Sequence, residues 1–277
     1  MHWIALQPAP HDGAADAPAL TDVHAALAWW ALQFTPLVAR VQDVLVLEVS
    51  GSERLFGGRT ALLAQLFKQN RPVAPVYSAQ GATSLIAIGR LRVAAAGRPV
   101  DLAPDALPLQ ALAAAQAHLP TLLRLGCRTW GQLRALPRGG LARRFGAGLV
   151  DALDRAYGLQ PEVYPWLTLP DVFDAPLELQ ARVESAPALL FGARRLLAQL
   201  LVWLRARQRG VLVLELLWEL DAARSAQQQG RLELRTAQAT QDMRHLQRLL
   251  GEQLARVTLP APVLYLRLRT VQTPLLA

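Results

Sequence analysis

Two hydrophobic periods divide this chain. Apolar positions recur at helical spacing from Asp22 to Gln33, with Thr21 or Asp22 as N-cap and Pro36 ending the segment. Val44 to Val49 (VLVLEV) is a short, nearly continuous apolar run rich in β-branched residues, which predicts a buried strand. Gly51, Gly57 and Gly58 mark turns, and Thr60 to Gln69 returns to helical spacing until Pro72 to Pro75 breaks it. Val73 to Ser78 predicts a further strand and Ala82 to Ala95 a helix, so the first part reads as an α/β or α+β unit.

No strand pattern occurs from Pro104 to Tyr157. Helical segments there are punctuated by Leu119-Pro120, Leu125-Gly126 and Leu136-Pro137, which predicts a small all-helical module. Pro161, Pro165, Pro170 and Pro176 then mark an extended linker, because repeated prolines cannot continue a helix. The last hundred residues have the clearest order. Leu177 to Val183 alternates, and Pro187 to Arg207 carries leucines 189, 190, 196, 197, 200, 201 and 204 on one helical face. Val211 to Leu220 and Arg231 to Arg235 predict strands, Gln241 to Val257 a helix, and Val263 to Arg269 a last strand. That is the βαββαβ order of the ferredoxin-like split motif.

Composition narrows the setting. With 277 residues, 52% of them hydrophobic, and a mean hydropathy of +0.20, the chain can bury two or three cores. No apolar run approaches a bilayer span; Leu196 to Leu204 contains Gln199 and is flanked by arginines. Met1 to Ala19 lacks the basic start and apolar stretch of a secretory signal, and residues 8 to 20 read as linker. The single cysteine, Cys127, excludes a disulfide framework and a cysteine-based zinc cluster. Together these point to the cytoplasm and away from membranes. Net charge is +8, carried almost wholly by arginine, with Lys68 the only lysine. Such a balance suits a polyanion partner, but GC-rich coding sequence, which prefers Arg, Ala, Leu and Pro, produces it too.

Three ordered motifs resemble the Y-family DNA polymerases, in the form taken by their inactive ImuB-type relatives. Val46-Leu47-Glu48-Val49-Ser50-Gly51-Ser52, continuing to Leu55-Phe56-Gly57-Gly58, is similar to the palm pattern L-D-V-T-G-S-x-x-L-F-G-G. Gln33 to Val38 resembles the y-S-P-x-V-E upstream of it. Leu125 to Leu133 resembles L-G-I-x-T-I-G-D-L of the thumb, followed by L-x-x-x-F-G at Leu141 to Gly146. The resemblance implies an α+β, reduced Y-family architecture. Residues 1–20 would be a short strand and linker, 21–103 a palm remnant, 104–160 a helical thumb, 161–176 a linker and 177–277 a ferredoxin-like little finger.

Departures from the family pattern decide the expected chemistry. Family members hold two magnesium ions with an aspartate on the first strand and an Asp-Glu pair on the palm hairpin, and two-metal phosphoryl transfer depends on all three. Here the motif overlay puts Asp43 at the aspartate of the pair and Val44 at the glutamate, while Trp3-Ile4-Ala5-Leu6 carries no acid. Asp43 is a vestigial metal position, read as a turn or strand-end residue, and Glu48 is structural. The interval Gln7 to Phe34 is too short for the fingers, and Ala79 to Ser84 lacks the phosphate-binding lysine. The expectation is no enzyme, no metal and no cofactor.

DNA contact stays open on the residues alone. In the thumb, Arg128, Arg143 and Arg144 are candidates for phosphate contact, against the alternative of a solvated helix face. Alternation predicts Arg182, Arg231, Arg235, Arg267, Arg269 and Tyr265 on the open face of the little-finger sheet, the family's DNA side. Glu178, Glu215, Glu219 and Glu233 share that face and nearly cancel the charge. Arg194, Arg195, Arg205 and Arg209 cluster opposite the leucines of the long helix, as a solvated face or a docking surface for a partner protein. The resemblance implies a non-catalytic adaptor in translesion synthesis. Its implied partners are a RecA-like ImuA protein, an error-prone C-family DNA polymerase, the sliding clamp and, weakly, DNA. Val271 to Ala277 carries no Q-x-x-L-F clamp signature. The competing readings are an active translesion polymerase and a simple DNA-binding module.

Overall fold

The computed structural model describes residues 1–8, 20, 22–68, 72, 76–221 and 229–276. The linker predicted over residues 8–20, the Thr21 cap and the first residues of the strand predicted from Val73 therefore lie almost wholly outside the described residues. The rest folds as a mixed α/β chain with two antiparallel four-stranded sheets.

The first sheet runs β2 (Val38–Val41), β3 (Val44–Glu48), β1 (Trp3–Pro8), β4 (Val76–Gly81) in space. β3 is buried along its whole length, which is why it reads as a continuous apolar run. β2 is four residues long, too short for a period to show, and the sequence reading missed it. It reaches β3 through the two-residue turn Gln42-Asp43, in which Gln42 adopts a left-handed φ of 58°. Helix α2 (Arg59–Lys68) and helix α3 (Ser84–Ala95) follow within one or two residues of their predicted bounds.

Helix α3 joins the sheet to the helical module, because its two faces feed two cores. Ala87, Ile88 and Leu91 pack with Trp3, Ala5, Val44 and Val46 of the sheet. Ile86 and Val93 pack with Leu107, Trp130, Leu149 and Leu153. The module is all-helical, as the sequence predicted: 3-10 turns over residues 104–118, then α4 (Leu119–Arg124), α5 (Trp130–Arg134), α6 (Arg138–Phe145) and α7 (Ala147–Ala156). Trp130 anchors it. The ring is fully buried, its Nε1 donates to the Pro108 carbonyl at 3.0 Å, and Gly89 of α3 leaves the room it occupies. Thr129 and Gln132 form a capping box on α5. Sheet and module thus form one compact unit, in which the predicted palm remnant and thumb share α3.

The second unit has β5 (Asp174–Val183), α8 (Leu189–Arg207), β6 (Val211–Leu220), β7 (Gln229–Thr240), α9 (Met243–Leu254) and β8 (Val263–Gln272). The predicted βαββαβ order holds. In space the strands run β5-β8-β6-β7, all antiparallel, so each helix crosses over one intervening strand. A ferredoxin plait uses the same split crossovers but centres its first and third strands; here the second and fourth are central. β5 is consequently an edge strand, which explains how it accommodates Pro176. Gly192 lets α8 lie close to the sheet, since a Cβ there would sit 2.7 Å from Leu266 and 2.9 Å from Leu179. Ala186–Arg207 is long and apolar enough to cross a membrane, and Leu189, Leu196, Leu197, Leu200 and Leu204 from it form the core of this unit.

One element changes places. Helix α1 (Val23–Ala31) follows β1 in the chain, and sequence proximity assigned it to the palm remnant. Through Trp30 it is instead part of the second compact unit. Trp29 meets Phe173 edge-on at 6.1 Å, and the Gln199 side chain of α8 accepts from the Asp22 N–H and donates to its carbonyl. Both contacts join residues far apart in sequence, so no local pattern could show them.

Candidate nucleic-acid interface and candidate metal position

Asp43 is exposed in the β2–β3 turn. The pairing of β1 with β3 sets Leu6 opposite Leu45 and brings Gln7 beside that turn, where its Nε2 donates to Asp43 Oδ2 at 2.5 Å. Val44, where the family resemblance implies a second carboxylate, is buried at 1% exposure. Among the described residues no three His, Cys, Asp or Glu side chains gather into a group that could hold a metal ion. Glu48 is structural in detail: its Oε1 accepts from the backbone N–H of His2 and Ser50 and from the Ser50 hydroxyl, fastening the turn into Gly51.

The start of α3, where the resemblance implies a lysine, already holds an anion. Glu162 accepts from the Ser84 N–H at 2.9 Å, the Leu85 N–H at 3.2 Å and the Ser84 hydroxyl at 2.6 Å. The Tyr164 hydroxyl meets the Ser84 Oγ at 2.5 Å, and burial pushes that phenol's pKa up. Backbone donors at a helix N-terminus, together with the helix dipole, favour a negative group there. The chain supplies one from within its own predicted linker, which is therefore tied to the first unit at this point. Sequence reasoning missed Glu162, although it is the sole acid between Gly158 and Pro170. A polar cleft of about 420 Å³ lies elsewhere, by His2, Arg59, Gln80 and Arg90 at the opposite end of β1.

In the helical module the seven arginines from 124 to 155 have different fates. Arg138 makes a bidentate pair with buried Asp154 at 2.6 and 2.7 Å, which holds the aspartate below the usual carboxylate range. Arg134 covers the Tyr157 ring at 4.2 Å. The candidates Arg128, Arg143 and Arg144 are exposed; Arg143 Nε donates to the Gly139 carbonyl in its own helix, and Arg144 sits 5.8 Å from the Phe145 ring. Gly131 of the predicted surviving turn serves packing, since a Cβ there would lie 2.7 Å from Asp105.

A second glycine turn was passed over. Gly146-Ala147-Gly148 links α6 to α7, with Gly146 at φ 87° and ψ 160°, a conformation that L side chains rarely adopt. Neither helix has a side-chain N-cap, and neither has an acid in its first turn. Added Cβ atoms at Gly139, Gly140, Gly146 and Gly148 would meet nothing within 4 Å. The backbone of Gly146 accounts for that glycine, but internal packing does not account for Gly139, Gly140 and Gly148, although glycine within a helix costs about 1 kcal/mol relative to alanine. The signal was present as Phe145-Gly146-Ala147-Gly148.

On the second sheet the alternation is as read: Leu266 and Leu268 are buried, Tyr265, Arg267 and Arg269 exposed. All five candidate arginines of that face are paired. Arg267 makes a bidentate bond to Asp174, Arg182 reaches Asp221 at 2.7 Å, and Arg235 approaches Glu233 at 3.9 Å. Glu215, its side chain only 3% exposed, takes both Arg231 and Arg269. Tyr265 donates to Glu178 at 3.3 Å. The sequence anticipated the glutamates but not Asp174 and Asp221, which stand at strand ends.

On α8, Arg194 and Arg205 are exposed and Arg195 is half-buried. Arg209 departs from the predicted arc. The helix ends at Arg207, Gln208 turns the chain with φ 53°, and Arg209 Nη1 donates to the Thr273 carbonyl at 2.7 Å. It fastens the residues just after β8 to the end of α8.

No family model matches the chain. Among known proteins it is 36% identical to Protein ImuB of Caulobacter vibrioides (strain NA1000 / CB15N), over 68% of this chain and 44% of that protein. The chain thus spans less than half the length of the curated relatives it matches. Among solved structures it is similar to a DinB family error-prone DNA polymerase from Sulfolobus solfataricus, with 11% identity, TM-score 0.41 and 98% of each chain covered. It is also similar to a Dbh ternary complex, with 12% identity, TM-score 0.40, 92% of this chain and 78% of that one.

Proposed function

We propose that this relative of ImuB is a non-catalytic, polymerase-like adaptor of bacterial DNA-damage tolerance, which holds DNA and leaves synthesis to a partner. The observation that carries the reading is the Gln7–Asp43 pair. An amide stands beside the acid of the β2–β3 turn, Val44 fills the place next to it, and Glu48 at the end of β3 is buried, so a pair of divalent ions would meet a single exposed carboxylate. Glu162 at the α3 N-terminus supports the same reading, since a triphosphate would have to displace a carboxylate that already accepts three hydrogen bonds.

DNA contact is proposed for the α6–α7 turn. Open Gly146 and Gly148, the uncapped start of α7 and exposed Arg143 and Arg144 suit close approach of a phosphate backbone. Arg128 is a further exposed cation of the same module. The sheet of the second unit is a poorer candidate, because Arg182, Arg231, Arg235, Arg267 and Arg269 are engaged by carboxylates. The proposed protein partners are a RecA-like ImuA protein, an error-prone C-family polymerase and the sliding clamp.

Primer extension with magnesium or manganese separates this reading from an active translesion polymerase: incorporation that Asp43→Ala abolishes would overturn it. Anisotropy on primer-template DNA tests the thumb. Gly148→Ala removes a helical glycine and raises stability by about 0.5 kcal/mol. It is expected nonetheless to weaken DNA binding, as is the double variant Arg143→Glu/Arg144→Glu. Unchanged, salt-dependent affinity in both variants would place DNA elsewhere. A pull-down with the RecA-like partner tests the adaptor role itself.

A further inference from the structure

We propose that the outer face of α8 and α9 in the second unit docks an acidic polypeptide segment that carries an apolar side chain for Phe191. Phe191 is 76% exposed on a helix whose opposite side forms the core. At 100° per residue Phe191, Arg194, Ala198, Val202 and Arg205 share one solvent-facing strip, with the arginines along the margin that borders α9. The two helices meet there, where Gly251 of α9 abuts Leu190 of α8. From its side α9 adds exposed Arg244, Arg248 and, just past its end, Arg256.

The charge of this face is unbalanced. Helix α8 contains no acid, and α9 contains only Glu252, which pairs with Arg248 at 3.4 Å. The opposite face of the same unit has its arginines matched by Asp174, Glu215, Glu233 and Asp221. The unit's surplus positive charge therefore lies on the helices. Charge complementarity selects an acidic occupant, and the apolar crest of Phe191, Ala198 and Val202 selects a polypeptide. An exposed aromatic bordered by arginine suits the buried centre and charged rim of a protein interface. A strand of nucleic acid would call for a continuous basic groove with several stacking rings.

This inference rests on the adaptor reading, since it supplies a surface for a protein partner. The test titrates the full chain into fluorescein-labelled poly-L-glutamate, a labelled random copolymer of glutamate and tyrosine, and a labelled single-stranded oligodeoxynucleotide. The copolymer is expected to bind several-fold more tightly than poly-L-glutamate. Phe191→Ser should erase that difference, and Arg194→Glu/Arg205→Glu should weaken both polymers about tenfold. Arg235→Glu, on the sheet, should leave them unchanged. Equal weakening by Arg235→Glu, or a copolymer advantage that survives Phe191→Ser, overturns the proposal. So does tighter binding of the oligonucleotide that Arg194→Glu/Arg205→Glu removes. The adaptor reading is judged separately, by primer extension, which does not involve α8.

Discussion

Gln7 donates its side-chain amide to Asp43 across the β1–β3 pairing, joining two residues that are 36 apart in sequence. An amide and a carboxylate at this distance attract, whereas two carboxylates would repel unless a cation lay between them. Gln7→Asp should therefore lower stability at neutral pH by roughly 0.5 kcal/mol in chelator. The loss should be recovered by manganese or by acid. Urea melts with and without the metal give the answer, and a variant as stable as the parent in chelator would show that the two side chains do not face each other.

Glu162 closes the N-terminus of α3 from far along the chain. Glu162→Ala leaves the Ser84 and Leu85 N–H groups without their acceptor and should cost about 1–2 kcal/mol. Glu162→Gln, which keeps one acceptor oxygen, should cost less. Chemical denaturation of both variants checks the order.

Glu215 and Asp174 hold Arg231, Arg269 and Arg267 on the open sheet. The double variant Glu215→Gln/Asp174→Asn should release cations toward solvent, raise DNA affinity and steepen its salt dependence by about two charges. Anisotropy across a salt series measures this. An unchanged slope would mean that charge pairing is not what keeps this face from DNA.

Arg138 lowers the pKa of Asp154 through two hydrogen bonds and its charge. Because the folded value lies below the unfolded one, the stabilisation is present above the ordinary aspartate range and is lost as pH falls through the depressed value. The difference in melting temperature between the parent and Arg138→Ala should be constant from about pH 6 to 8 and shrink as pH drops below about 4. A difference that grew in acid would contradict the pairing.

Periodicity revealed most of the secondary structure, because each long element buries one face. Leu189 to Leu204 on α8 and Leu266 to Leu268 on β8 needed nothing beyond their own spacing. Short β2 escaped, since four residues define no period, and the place of α1 escaped because Asp22–Gln199 and Trp29–Phe173 are long-range contacts. At the candidate site, Asp43 and the paired glutamates of the sheet were legible, whereas Gln7 and Glu162 were not. Each acts through one partner that only the sheet pairing or the returning chain brings near. Arg209 was misplaced for a local reason: the helix period was carried two residues beyond its end at Arg207.

Calorimetric titration of manganese into the chain, in the presence of a deoxynucleoside triphosphate and primer-template DNA, addresses the metal site itself. The expected result is the heat of manganese binding to the nucleotide alone, identical for the parent and for Asp43→Ala. Two additional ions bound per chain, and lost in Asp43→Ala, would contradict the account.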